Sequence, residues 1–255
     1  NGNGRIAVKM LSLDTQLQLP PMARLVAALA IFVVSALAAL WLATAQPWLG
    51  LVLQAGDDGL VVLVDVQRED LPNGLRPGSR IARIGAVNLH AMDVMEEPDT
   101  INSYALLNEF RARQAELSAT LNQPQVLVGF AGDNQSIRTV VVAPYAGRPA
   151  WSLPFEFWLQ LFVGGAGALV GGWIWALKRD RPSVFLAISG FGLMASALSA
   201  SVYSTRELAL DAELFRMLNA GNFVGTNIFG LALISLLLSY PKRIGGSLVI
   251  LAVWT

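Results

Sequence analysis

Cysteine is absent from the 255 residues and histidine occurs once, at His90. The first absence excludes disulfides, thiolate metal sites and cysteine nucleophiles. The second leaves no histidine-rich metal site and no serine–histidine pair within an apolar segment. Charge is scarce as well, at 14% of residues with a net charge of zero, against about 25% in ordinary soluble domains. That deficit excludes a disordered chain, a basic nucleic-acid binder and an ordinary cytosolic enzyme. No His-Glu-x-x-His zinc motif, phosphate loop or catalytic carboxylate pair is present. No catalytic residue, metal or cofactor and no nucleic-acid partner is therefore expected.

What is present is apolar sequence, at 54% of residues. Four runs reach the roughly 18 residues needed to cross a hydrocarbon core: 25–45, 157–177, 182–205 and 217–241. A fifth pattern starts at Ile244 and reaches only Thr255. Too short to span, it suggests a piece of a longer protein, or else a re-entrant or interfacial end. The first run resembles a signal peptide in ending Ala43-Thr44-Ala45, but it is longer than a signal core and more spans follow, so it reads as an anchor. The predicted organisation is an N-terminal segment (1–21), spans at 22–45, 153–177, 182–203 and 215–241, a loop at 204–214 and a fifth span starting at 244–255. A domain at 46–150 lies between the first two spans.

Lysine and arginine set the expected orientation. Lys9 and Arg24, then Lys178, Arg179 and Arg181, then Lys242 and Arg243 all fall on one side if the spans alternate. That side is expected to be cytoplasmic, in a bacterial inner membrane. The 46–150 domain, with eight arginines against twelve acids, would then face outside. Arg206, Glu207, Asp211, Glu213 and Arg216 in the second outer loop read as a solvated, self-paired turn.

Within the domain, the β-branched run 59–66 predicts a buried strand, 80–84 a half-buried strand, and 125–130 with 136–143 a hairpin closed by 131–135. Ile101, Tyr104, Leu106, Leu107, Phe110 and Leu117 recur at helical spacing, predicting an amphipathic helix over 101–118 capped by Asp99 or Thr100.

That order, with Pro72-Asn73-Gly74-Leu75-Arg76-Pro77-Gly78-Ser79-Arg80-Ile81-Ala82-Arg83-Ile84-Gly85, resembles the permuted bacterial PDZ domain over about 100 residues. Ser79 replaces that family's frequent aspartate. The resemblance implies an extended peptide added beside one strand and one helix, its carboxylate held by the loop Trp48-Leu49-Gly50-Leu51. Strand 51–54 would follow, and Tyr104, Leu107 and Arg111 would face it from the helix. The alternative is a domain used only for packing, dimer contact or transmission, with Trp48 an interfacial residue.

In the spans, Gly164, Gly165, Gly167, Gly171 and Gly172 read as a close-packing surface, within the chain or in a homodimer. Asn219, Asn222 and Thr226 share one helix face by spacing, and Ser196 and Ser199 come from the preceding span. They form either an outward-opening polar pocket for a small ligand or interhelical hydrogen bonds. Trp151, Trp158, Trp173 and Trp175 read as an aromatic belt.

The fold class expected is therefore a membrane α-helical bundle with an inserted α+β PDZ-like domain. One anchor, an outer PDZ-like domain and several further spans resemble the N-terminal sensor region of competence and quorum-sensing histidine kinases. The resemblance implies an input module for a peptide or small-molecule signal, likewise seated in the lipid bilayer. A membrane scaffold whose domain binds partner proteins is the alternative.

Overall fold

The computed structural model describes residues 20–72, 74–131, 136–178, 180–242, 244 and 247–254. Arg179, Arg243, Lys9 and most of the predicted 131–135 hairpin turn lie outside them. Among the described residues, four helices are long and apolar enough to cross a membrane: α1 (Pro21–Thr44), α3 (Phe155–Leu177), α4 (Arg181–Ser204) and α5 (Ala212–Ser239). The chain is that of a multi-pass membrane protein. Helix α2 (Tyr104–Leu121) belongs to the inserted domain, and α6 (Ser247–Val253) is a short helix beyond α5.

The long helices alternate in direction. The end of α1, the start of α3 and the α4–α5 loop lie on the domain's side. Arg24, Lys178, Arg181 and Lys242 lie at the opposite ends. Glycine lets the backbones close up. An added Cβ at Gly164, Gly167 or Gly171 would stand 2.9, 2.9 or 2.8 Å from atoms of α4. At Gly165 and Gly172 it would meet Phe32 and Ala28 of α1, at 2.5 and 2.8 Å. The five glycines thus pack two neighbours of the same chain. Asp180 accepts from the backbone N–H of Ser183 (3.0 Å) and caps α4; Asp211 accepts from Glu213 and Leu214 (3.1 and 3.0 Å) and caps α5.

The domain is an antiparallel sheet closed by one helix. Its strands are β1 (Leu51–Ala55), β2 (Val61–Val66), β3 (Arg80–Ile84), β4 (Val87–Asn88), β5 (Val126–Ala131) and β6 (Ile137–Val142). The order is β1-β2-β3-β5-β6, with β4 beside β3. Gly85, at φ 60°, makes the β3–β4 turn. Leu63, Ile81, Ile84 and Val128 from the strands meet Leu117 and Leu121 of α2 in the core, all 2% exposed or less.

The predicted helix 101–118 differs in start, cap and face. Pro98–Thr100 is a separate 3₁₀ turn, Ile101 follows it in extended backbone, and α2 begins after Ser103. Proline favours the first turn of a helix but cannot continue one, so Pro98 opens its own short turn and neither Asp99 nor Thr100 caps α2. The buried face is Phe110, Gln114, Leu117 and Leu121, whereas Tyr104 is 76% exposed.

Candidate functional site: a carboxylate in an amide cradle at the domain–bundle joint

Trp48, Leu49, Gly50 and Leu51 are all buried and link α1 to β1. Trp48 exchanges two backbone hydrogen bonds with Tyr145 (3.0 and 2.9 Å) and packs its ring on Tyr145 and Trp151. The carbonyl of Gly50 accepts from Gln67 N–H at 2.9 Å. Gly50 sits at φ 79°, in the left-handed region that favours glycine. An added Cβ there would stand 2.4 Å from Cγ of Arg68.

Arg68 braces the back of this loop. Its side chain is 5% exposed, pairs with Asp70 (2.7 Å), donates to the carbonyl of Ala143 (2.9 Å) and stacks 3.8 Å over Tyr145. The Arg68 hydrogen bond lowers the Asp70 pKa to about 2. With these groups tied down, the N–H groups of Leu49 and Leu51 point the other way.

They point at Glu207. Leu49 N–H donates to Oε2 at 2.8 Å and Leu51 N–H to Oε1 at 2.6 Å. Glu207 comes from the α4–α5 loop, more than 150 residues along the chain. Burial pushes its pKa up to about 7, against the cradle amides and the charge of Arg148, which pull it down. Arg148 donates to the carbonyls of Thr205 (2.6 Å) and Ser152 (2.9 Å). A cavity of about 10 Å³, roughly the size of one water, adjoins Glu207, Arg148 and Pro47.

Arg206, next to it, anchors into α2. It donates to the carbonyls of Glu96 (3.1 Å) and Met95 and to Oε1 of Gln114 (3.1 Å). Its guanidinium lies 5.6 Å from the Phe110 ring centre and 5.3 Å from that of Phe215. Burial lowers its pKa to about 10. Gln114 also donates to the carbonyl of Asp93, whose carboxylate Arg113 grips at 2.6–2.7 Å. Leu208 and Ala209, 2% and 5% exposed, join the domain core, while Leu210 joins that of the bundle.

The loop expected to be solvated is thus the joint of the molecule, and only the exposed Arg216–Glu213 pair (2.6 Å) fits the self-paired description. Leu-Ala-Leu at 208–210 was the available signal. A solvated turn has no need of three apolar residues, and a neighbouring Arg-Glu pair on an apolar loop must find partners elsewhere.

No family model matches the chain, and no curated protein or solved structure matches it either.

The remaining expected residues divide. Tyr104 and Leu107 lie in the first turn of α2, with Arg111 one turn further on. Beside the end of β1, a groove of about 460 Å³ is lined by Ala55, Met92, Met95, Ile101 and Leu106. In the bundle, Ser196 donates to Asn222 and lies 2.9 Å from Thr226, and Asn222 donates to the Tyr203 hydroxyl. Ser199 packs against Gly221 instead, and Asn219 has an interaction of its own. These contacts join α4 to α5. Asn222→Leu should lower bundle stability by about 1–2 kcal/mol, read as an earlier unfolding midpoint in SDS-containing micelles. An unchanged midpoint would mean that the network contributes nothing to bundle stability.

Glu207 also makes stability depend on pH. The folded chain holds its proton to about pH 7, against an ordinary value of 4.5. The folded state therefore binds more protons between those values, and stability falls as pH rises through that window. The full effect is roughly 3 kcal/mol, reduced by the solvent-exposed surface Glu207 keeps. Thermal unfolding should begin earlier at pH 8 than at pH 5, and Glu207→Gln should flatten the difference. Asp70 acts only below its ordinary value of 3.8, outside this window.

Proposed function

We propose that the chain is the membrane-embedded input module of a signal-transducing receptor, of the kind that drives a two-component histidine kinase. Its domain, PDZ-like in strand and helix order, lies outside the cytoplasmic membrane. The basic residues Arg24, Lys178, Arg181 and Lys242 lie inside, as the positive-inside bias favours. The signal is a peptide carrying a free carboxylate, recognised at the Leu49–Leu51 amides.

One observation carries this reading: the α4–α5 loop is seated in the domain, through Glu207 on Leu49 and Leu51 and through Leu208 and Ala209 in its core. Any ligand that changes how the domain holds this loop acts directly on the ends of two spanning helices. A differential affinity of 1–3 kcal/mol between two packings shifts their populations 5- to 150-fold.

The absence of cysteine makes a clean test. Nitroxides at L177C and L237C report the distance between the far ends of α3 and α5, where both residues are exposed. Releasing the loop with Glu207→Ala should shift that distance distribution by 2 Å or more in lipid nanodiscs. An unchanged distribution would favour a scaffold, whose domain holds partners without moving the helices.

A further inference from the structure

The cradle has the form of a binding site whose occupant the chain itself supplies. Its amides converge on a carboxylate, while the Trp48 backbone is committed to Tyr145 and the carbonyls of Leu49 and Gly50 accept from Arg68 and Gln67. Glu207 fills it from within. The segment around Glu207 is held along its length. Leu208 and Ala209 are buried among residues of the domain. The Thr205 carbonyl is held by Arg148, and Arg206 is held by the carbonyls of Met95 and Glu96.

We propose that the α4–α5 segment 205–211 is a built-in competitor for this site, with Glu207 standing where the carboxylate of an extended peptide ligand binds. The proposal rests on the peptide reading above and adds its regulation. A ligand reaches the amides only by displacing Glu207, and the same event withdraws Leu208 and Ala209 from the domain core. Binding and release of the helix ends are therefore one step. The groove lined by Ala55, Met92, Met95, Ile101 and Leu106 lies at the far end of β1 from the cradle and would offer apolar surface to the preceding residues of such a ligand.

The tether makes this competitor strong. A short intramolecular link sustains an effective concentration in the millimolar range. A peptide of micromolar intrinsic affinity is then held off until the tethered carboxylate is weakened. Removing that carboxylate, or lengthening its tether, should raise the apparent affinity of carboxylate-ended peptides without altering the cradle.

The test uses the whole chain in nanodiscs at pH 7.5. The probe is a pool of randomised hexapeptides with free C-terminal carboxylates, and the control is the same pool amidated. Retained peptide is quantified by mass spectrometry. Glu207→Ala should retain carboxylate-ended peptides at least 10-fold better than the unmodified chain, with little change for the amidated pool. A second variant, with four Gly-Ser residues inserted on each side of 205–211, keeps Glu207 and should change retention in the same direction. It preserves the test if Glu207→Ala fails to fold. Equal retention by all three chains, or gains that do not distinguish carboxylate from amide, would overturn the proposal. The L177C/L237C distance is read in parallel. Peptide gain with a fixed distance upholds the competitor and removes the signalling role. A moving distance with no peptide gain does the reverse.

Discussion

Gly190→Val should part α3 from α4 and unfold the helix bundle. Gly190 of α4 crosses Gly167 of α3 with no side chain between them. A Cβ at Gly190 would lie 2.1 Å from the Gly167 carbonyl oxygen and 2.8 Å from its carbonyl carbon. Both obstacles are backbone, so no rotamer change relieves them. Valine adds two further carbons on a stiff side chain, and the helices must move apart along their contact. Gly164 and Gly171 would lose their close approach to α4 at the same time. Overpacking a well-filled core costs about 1–3 kcal/mol. Loss of the flanking contacts places Gly190→Val at about 3 kcal/mol or more. Gly230→Ala is the control, because a Cβ there meets nothing within 4 Å. It should leave stability unchanged or slightly higher through helix propensity. Unfolding midpoints in mixed micelles measure both. If Gly190→Val behaved like Gly230→Ala, the backbone-to-backbone crossing would not exist in the protein.

The long helices were legible because lipid leaves the sequence little choice. A run of 20 or so apolar residues has only the helix in which to satisfy its backbone. Helices α1, α3, α4 and α5 are the long apolar helices such runs demand. The strands were legible from β-branched runs between glycine turns. The face of α2 was not. Tyr104 and Leu106 look like core residues but are exposed, whereas the polar Gln114 is 1% exposed. Gln114 is buried because it has two jobs, donating to the Asp93 carbonyl and accepting from Arg206. Neither partner is close in sequence, so helical periodicity could not reveal it. The sequence singled out the loop 48–51, but not Glu207 as the partner of its amides. Local charge pairing suggested that Glu207 would find Arg206 or another loop residue. Instead the two point in different directions, Glu207 to β1 and Arg206 to α2, because the loop is threaded between them. Such a contact lies some 150 residues apart in sequence and depends on how the whole domain sits over the helices.

Phe110→Ala should part the domain from the bundle while leaving each folded. Phe110 is 0% exposed, yet its packing partners are mainly in the bundle's core and not the domain's. Its ring meets Phe215 at 5.7 Å and 61°, and Phe215 in turn meets Tyr203 at 5.7 Å. Arg206 lies against both Phe110 and Phe215. Truncating a buried phenylalanine typically costs 3–5 kcal/mol. Here most of that cost falls on the joint, because Leu117, Leu121 and the sheet still enclose the domain core. Arg206 would lose one of its two ring contacts and keep its carbonyl partners, so the joint should loosen before either part melts. Hydrogen exchange separates these outcomes. Amides of Leu49, Leu51 and the 205–211 segment should lose protection by about 100-fold, the equivalent of roughly 3 kcal/mol. Amides of Leu63 and Val128, in the middle of the sheet, should keep theirs. Uniform loss across the domain would mean that Phe110 holds the domain itself together. Unchanged exchange at Leu49 and Leu51 would mean that the cradle holds Glu207 without help from the aromatic contact. The expected pattern, loss at the cradle with a protected sheet, makes the Phe110–Phe215 contact and the Glu207 carboxylate two halves of one clasp.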